Sequence, residues 1–415
     1  MNFGDKRVVI TGTGVVSSVG NTVDAMWESL INGVSGIGPF TVFDASEYRT
    51  RIAGEIKDFN ITDFISTKEA RKLDPFCHYA IVAADEAVKQ AGLDIEAIDN
   101  DRFGVFIGSG IGGITTLQEQ MIKLQESGPS RVSPFLIPMM ISDMAAGAVS
   151  IRLNAKGPNF SIISACATGS HCIGEAFWVI KRGDADIMLC GGAEACLSPI
   201  GVAGFCAMRA MTSRNDEPTK ASRPFDKDRD GFIISEGSGV LLLETLEHAE
   251  NRGANILAEI VGYGSSGDAY HITSPAPDGE GAVRALKICL ERGGIAPEEV
   301  DYINAHGTST PLNDKNETLA IKTVLGEHAY NTHISSTKSL TGHTLGAAGG
   351  IEASICVKVI NEGKIPGTYN YETPDPDCDL NYVPNQTLEK DVNIALSSNF
   401  GFGGHNAVLA LKKYK

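Results

Sequence analysis

Apolar runs rich in valine and isoleucine alternate along the chain with longer stretches whose apolar residues recur at helical spacing. Arg7 to Thr11 predicts a buried strand, and Gly104 to Gly108 predicts another. Between them, Ile81, Ala84, Val88 and Ala91 line one face of a helix over His78 to Ala91, which Gly92 is placed to end. This pattern of helix, glycine, acidic linker and strand returns later. Ala84 to Gly92, Leu93 to Asp101 and Phe103 to Gly110 match Ala285 to Gly294, Ile295 to Val300 and Asp301 to Thr308. Further correspondences keep the same order. The run into Cys166, its small-residue helix and strand Ile187 to Gly192 parallel His333 to Lys338, the helix after His343, and Asn393 to Ser398. Val8 to Thr11 similarly parallels Leu257 to Gly262. The reading is a divergent internal duplication joined near Asn251 to Gly253, giving halves 1–252 and 253–415. Alternating strands and helices imply an α/β fold of mixed, mainly parallel sheets covered by helices, with reactive groups at loops where strand ends meet.

One run ends in a distinctive way. Asn159 to Ser164 leads into Cys166; Ile162 and Ile163 suit a buried strand, while Ala167, Gly169, Gly174 and Ala176 permit a tight turn and a closely packed helix. A helix starting just after Cys166 aims its free N–H groups and positive dipole end at the sulfur, favouring thiolate over thiol. Cys166 is therefore a candidate nucleophile, set against the default reading of a core cysteine. In the second half, His306, Lys338 and His343 sit at the ends of predicted strands, in Asn304-Ala305-His306-Gly307-Thr308, Ser336-Thr337-Lys338-Ser339 and Gly342-His343. A lone loop histidine is ordinarily a hydrogen-bonded surface group; shared placement at duplicated strand ends makes these three candidates. The loop Asn399-Phe400-Gly401-Phe402-Gly403-Gly404-His405-Asn406 follows the last strand equivalent, and its glycines let main-chain N–H groups approach a developing oxyanion.

Composition narrows the class. The chain has 415 residues, 42% hydrophobic and 21% charged, enough for a large core. A net charge of -16 argues against general nucleic-acid or anionic-membrane binding, so an acidic partner must find a local basic patch. Nine cysteines without CxxC spacing fit neither a disulfide framework nor a zinc site, and Cys190, Cys289 and Cys356 read as reduced core residues. No run approaches the ~18 apolar residues of a membrane span. Met1 to Arg7 leads into a strand without a signal-peptide core, so a cytoplasmic protein is expected. Two decoys are set aside. Gly12 to Ser17 mimics a dinucleotide fingerprint but lacks its third glycine. Asp226 to Gly231 mimics the start of an EF-hand loop but has Gly237 where the bidentate glutamate belongs, and reads as a turn between domains.

Taken together, Ser164-Ala165-Cys166-Ala167-Thr168-Gly169, the two histidine motifs, Ser336-Thr337-Lys338-Ser339 and Gly401-Phe402-Gly403-Gly404 resemble the β-ketoacyl-acyl carrier protein synthases of the elongating type, in the thiolase-like superfamily. The resemblance covers essentially the whole chain. It implies a five-layered αβαβα fold, a homodimer, no cofactor or metal, and acyl carrier protein in acyl- and malonyl-loaded forms as partner. The implied reaction is decarboxylative Claisen condensation in fatty acid elongation. Cys166 would carry the acyl group, and His306 and His343 would donate to the malonyl thioester carbonyl. Lys338 would fix the histidines electrostatically, supported by Asp314, Glu317 and Glu352. Backbone N–H groups of Cys166 and Phe402 would hold the oxyanion, and Phe402 would gate the acyl chain. Ile111 and Phe205 would line the acyl pocket and Phe400 would contact substrate, with Thr308 and Thr310 beside the pantetheine arm. Lys68, Arg71 and Lys72, at i, i+3 and i+4 of one helix face, would dock the carrier together with Arg209. A thiolase would need a second cysteine in the glycine loop, and the initiating synthase an asparagine at His343. A polyketide or aryl-polyene ketosynthase keeps the same set, whereas a non-catalytic chain-length factor typically lacks the nucleophile.

Overall fold

The computed structural model describes residues 6–415. The part of the signal-peptide expectation that rests on Met1 to Asp5 lies outside the described residues. Nine strands form the main sheet: β1 (Val8–Ser17), β2 (Phe103–Gly108), β3 (Ile187–Glu194), β4 (Gly237–Thr245), β5 (Ala258–Gly267), β6 (Tyr302–Asn304), β7 (His333–Ser335), β8 (Ile394–Gly401) and β9 (His405–Lys412). Their order is β2-β3-β4-β1-β5-β9-β8-β6-β7.

The duplication is written into that order. In the first half β2 runs parallel to β3, while β3 with β4 and β4 with β1 are antiparallel. In the second half β6 runs parallel to β8, while β8 with β9 and β9 with β5 are antiparallel. The two sets meet back to back where Val8, Val9 and Ile10 pair with Ile260, Glu259 and Ala258.

Six helices cover and divide the strands: α1 (Pro75–Ala91), α2 (Met144–Leu153), α3 (Thr168–Arg182), α4 (Glu280–Gly293), α5 (Pro311–Leu325) and α6 (Ala348–Glu362). Three apolar layers account for their placement. Phe76 and Ala83 of α1 and Val149 of α2 pack on Val105 and Leu242. Ile173 and Phe177 of α3 and Ile351 and Ile355 of α6 fill the centre between Ile10, Leu241, Leu409 and Leu411. Leu286 and Cys289 of α4 and Ile321 of α5 pack on Ile303 and Val408. Leu241 and Leu242 are adjacent yet serve different layers, because successive strand side chains face opposite ways. Although the β1–β5 ladder joins all nine strands, those of each half pack on α3 and α6 as a layer of their own, in the expected sequence of helix, sheet, helix, sheet, helix.

Local sequence explains the element ends. Asp74 caps α1 by accepting from the Phe76 N–H, Pro75 takes the first position, and Gly92 ends the helix at φ 59°. Gly12 and Gly14 lie inside β1, which is longer than the strand read from sequence. A Cβ on Gly14 would sit 1.8 Å from the Ala83 carbonyl oxygen, so these glycines serve helix packing on the strand rather than a phosphate loop. Asp226 is buried and accepts from the N–H groups of Asp228, Glu372 and Thr373, leaving its carboxylate spent on a structural turn. All nine cysteines are free thiols. Among the described residues no helix is long and apolar enough to cross a membrane.

The expectation of a buried strand before Cys166 is corrected. Residues 159–164 run along the free edge of β2 with one parallel bridge, Val105 to Asn159, and bonds from the Val105 N–H to the Pro158 carbonyl at 2.9 Å and from Ser161 Oγ to the Ile107 carbonyl at 2.6 Å. Having a neighbour on one side only, the run leaves Phe160 51% and Ile163 55% exposed.

Candidate active site

Cys166 stands in a single 3-10 turn, Ala165–Ala167, from which α3 departs at Thr168. Ala165 has φ 50°, a left-handed conformation costly for a side-chain-bearing residue, and this turns the chain sharply at the nucleophile. The loop after β8 closes on the same point. A Cβ on Gly401 would lie 2.6 Å from the Ser164 carbonyl oxygen and 3.1 Å from the Cys166 nitrogen, so only glycine allows the approach. That approach brings the Phe402 N–H to the Cys166 sulfur.

His306 follows β6, and its position is set by Glu317 of α5. The Glu317 carboxylate accepts from the His306 N–H at 2.7 Å and the Gly307 N–H at 2.8 Å. His343 is held in an extended loop, its N–H donating to the Ile233 carbonyl at 2.7 Å and its carbonyl accepting from Ser235 at 2.9 Å. The two rings meet edge to face, 5.2 Å between centroids. The Cys166 sulfur and one nitrogen of each imidazole lie within 4.8 Å of one another. All three side chains are buried.

Behind them, the buried Lys338 pairs with Glu352 of α6. The other Glu352 oxygen accepts from Asn399 Nδ2 at 2.7 Å, and Asn399 Oδ1 accepts from Ser170 of α3 at 2.5 Å. A continuous chain thus links the lysine to the helix that begins at the nucleophile.

Burial dominates the electrostatics. It pushes the Cys166 thiol up to about 12, with Lys338 and the Phe402 N–H acting in the opposite direction. The expectation that the helix end favours a thiolate meets this desolvation, the largest influence on the sulfur, which favours the thiol. Burial, followed by the nearby Lys338 charge, holds His306 and His343 well below the usual imidazole range, so both rings are neutral at pH 7. Burial raises Glu317 to about 7. It also raises Glu352 and Asp314 above the ordinary carboxylate range.

A cavity of about 550 Å³ opens from the surface onto this cluster. Cys166, His306 and His343 line it, together with Phe205, Thr308, Thr310, Phe400 and Phe402, while Arg209 stands exposed along it. Thr308 and Thr310 share a hydroxyl hydrogen bond at 2.9 Å. Ile111 is not among the lining residues; it packs against the apolar cluster that contains Cys166. Asp314 joins at one remove, accepting from Phe225 and pairing with Arg229, with Asn313 donating to both Asp314 and Glu317. Lys68 and Arg71 are exposed and Lys72 is half-buried over the Phe135 ring. Their helix is one turn only, Thr67–Ala70, with Arg71 as its cap and Lys72 beyond it, which corrects the expectation that the three share one helix face.

Three contributors escaped the sequence reading. Phe232 packs edge-on to His343 at 5.3 Å, Asn399 links the lysine pair to α3, and Ser170 completes that link. Only Asn399, next to the glycine loop, carried any local signal.

The family model for the N-terminal domain of β-ketoacyl synthase matches residues 5–249, and that for the C-terminal domain matches residues 257–372. The chain is 55% identical over 414 residues to 3-oxoacyl-[acyl-carrier-protein] synthase 2 of Synechocystis sp., covering 100% of both chains. It is 54% identical over 411 residues to the protein of the same name from Staphylococcus aureus, covering 99% of each. Among solved structures, a β-ketoacyl synthase from Burkholderia phymatum superposes with TM-score 0.92 at 35% identity, covering 99% of this chain and 100% of that one. A type II polyketide ketosynthase, solved in complex with its acyl-carrier protein and bound to the hexaketide, also gives TM-score 0.92, at 36% identity and the same coverage. With a buried thiol beside two neutral, mutually packed imidazoles in a fold of two matched halves, and with both family domains accounted for in order, the chain belongs to the β-ketoacyl synthase family.

Proposed function

We propose that the protein is a 3-oxoacyl-[acyl-carrier-protein] synthase of the elongating, type II kind, extending acyl chains by two carbons in fatty acid synthesis. The observation that carries this reading is the convergence of Cys166, His306 and His343 on one cavity. The Cys166 sulfur attacks the thioester carbonyl carbon of an acyl carrier protein, and the departing pantetheine sulfur takes up the proton that the thiol loses. N–H groups of Cys166 and Phe402 receive the oxyanion. Malonyl carrier protein then enters. Cleavage of its carboxylate releases CO2 and leaves an enolate, to which the two neutral imidazoles each donate one N–H. The enolate carbon attacks the Cys166 thioester, forming the new carbon–carbon bond and expelling the sulfur, which is reprotonated. Lys338 and Glu352 fix the histidines from behind, Glu317 sets His306 through its backbone, and Asp314 steadies that arrangement. Phe402 gates the acyl chain, with Ile111, Phe205 and Phe400 shaping its surroundings and Thr308 and Thr310 receiving the pantetheine arm. Residues 1–252 supply the acyl-carrying part and residues 253–415 the decarboxylating part.

Purified protein given acyl carrier protein loaded with chains of graded length, plus malonyl carrier protein, is expected to form 3-oxoacyl product across medium and long chains, with no metal or nucleotide added. Absence of product with every donor sinks the reading.

The partner is an acidic carrier that meets Lys68, Arg71, Lys72 and Arg209. Charge reversal at Lys68, Arg71 and Lys72 together should raise KM for carrier-bound substrates about tenfold at low salt and leave kcat within about twofold. The same variant should use small thioesters without a carrier normally; an equal loss on both substrate types contradicts docking. A second copy of the chain covers the exposed edge at Phe160 and Ile163, which otherwise leaves unpaired backbone beside apolar side chains. Light scattering should return the mass of two chains, and a single-chain mass at micromolar concentration refutes the dimer. The enzyme works in the cytoplasm, in keeping with nine unpaired thiols.

A further inference from the structure

The turn that carries Cys166 has a counterpart in the second half. Leu345–Ala347 is a 3-10 turn of the same length, entered at φ 49° by Leu345 as the first is entered at φ 50° by Ala165, and followed at once by a 15-residue helix, as α3 is. Gly346 thus occupies the place of Cys166. In the first half the Cys166 N–H, with that of Phe402, bears on the Cys166 sulfur. In the second half the Gly346 N–H instead donates, at 3.0 Å, to a carboxylate from the first half, Glu194 at the end of β3.

Glu194 is fully buried and the mechanism above makes no use of it. Its other donors all belong to the loop after β2: Ser109 Oγ at 2.6 Å and the Ile111 N–H at 3.1 Å reach Oε1, and the Gly110 N–H reaches Oε2 at 2.9 Å. Four donors suit an acceptor-only carboxylate and no neutral amide. One side chain therefore ties together two loops. One bears Ile111, packed against the Cys166 cluster; the other begins at His343, three positions before Gly346.

We propose that Glu194 is a positioning residue of the condensing site, filling with its own carboxylate the anion-receiving turn of the second half and so holding the Ile111 loop and the His343 loop in one register. This rests on the condensing activity proposed above. Glu194 touches no reacting atom; its effect passes through the two loops. Its negative charge is also one of the lesser influences, after burial, that keep the Cys166 thiol protonated.

The two attachments can be separated by experiment. Glu194→Gln turns an amide N–H2 either toward Gly110 and Gly346, weakening the hold on both loops, or toward Ser109 and Ile111, weakening the Ile111 loop alone. Ser109→Ala removes the hydroxyl that donates to Glu194 and accepts from the Gly112 N–H, both on the Ile111 side. Acyl transfer from donors of graded length is measured in each variant, and decarboxylation of malonyl carrier protein is measured with each change added to Cys166→Gln. For Glu194→Gln we expect at least a tenfold fall in acyl transfer, joined by decarboxylation where the amide displaces the Gly346 N–H. For Ser109→Ala we expect a three- to tenfold fall in long-chain acyl transfer, carried by KM, with short-chain transfer and decarboxylation unchanged. Glu194→Asp, keeping the charge but one methylene shorter, should recover part of one activity. A folded Glu194→Gln protein at wild-type rates overturns the proposal. So does a Ser109→Ala protein that matches wild type with every donor, or that loses decarboxylation as much as acyl transfer; this comparison decides the matter if Glu194→Gln does not fold. Wild-type protein run alongside keeps the two readings apart. An inactive wild type overturns the activity, whereas an active wild type with an indifferent Ser109→Ala overturns only the role of Glu194.

Discussion

Cys166→Gln is expected to abolish acyl transfer, by roughly 10⁴-fold or more, while the protein continues to release CO2 from malonyl carrier protein. The two activities use different atoms. Acyl transfer needs the sulfur as the group that becomes the thioester, and glutamine offers no nucleophile. Decarboxylation needs donors for the enolate oxygen, and His306 and His343 are held by Glu317, Ile233 and Ser235, none of which involves the cysteine side chain. Glutamine is the informative replacement because its amide oxygen can take the Cys166 and Phe402 N–H groups as an acylated sulfur's carbonyl would, presenting the histidines with a mimic of the loaded enzyme. Carbon dioxide release and acyl-enzyme mass, measured on one preparation, check both halves of the expectation. Loss of both activities in a folded variant contradicts the division of labour.

His343→Ala is expected to reverse the pattern. Removing one donor from an enolate site costs about 2.7–4 kcal/mol, or roughly 10²–10³ in rate, provided the remaining groups stay in place. His343 is fixed by its backbone, and His306 has its own anchor in Glu317, so the second imidazole should hold its position. Cys166 should still accept an acyl group, since its neighbours Gly401 and Phe402 belong to another loop. The expected signature is an acyl-enzyme that accumulates to one equivalent and then fails to condense. Because both rings are neutral and buried, the decarboxylation rate of the wild type should not follow an imidazole titration between pH 6 and 8. A sigmoidal loss with a midpoint near the usual histidine value contradicts the neutral-donor role.

Much of this was legible before any coordinates. Helical and strand spacing located the elements, and the recurrence of helix, glycine, linker and strand paired β2 with β6 and β3 with β8, which the sheet order reproduces. Cys166, His306, Lys338 and His343 were readable because each sits at a strand end among small residues. What failed did so for stated reasons. Residues 159–164 have strand composition but only one neighbour, and composition does not count neighbours. The helix end at Cys166 is visible in the sequence, whereas the burial that raises its thiol depends on the whole fold. Ser170 and Asn399 are 229 positions apart, and Glu194 and Gly346 are 152 apart. No local pattern connects residues at such separations.

The pairing of Val8–Ile10 with Ala258–Ile260 carries a consequence for how the molecule comes apart. The two halves share a ladder of backbone bonds and a common central layer, while each keeps an outer apolar layer of its own. Their fates in heat or denaturant are bound together. A lesion that opens the central layer from either side therefore exposes apolar surface of both halves, the acyl-loading and the decarboxylating alike.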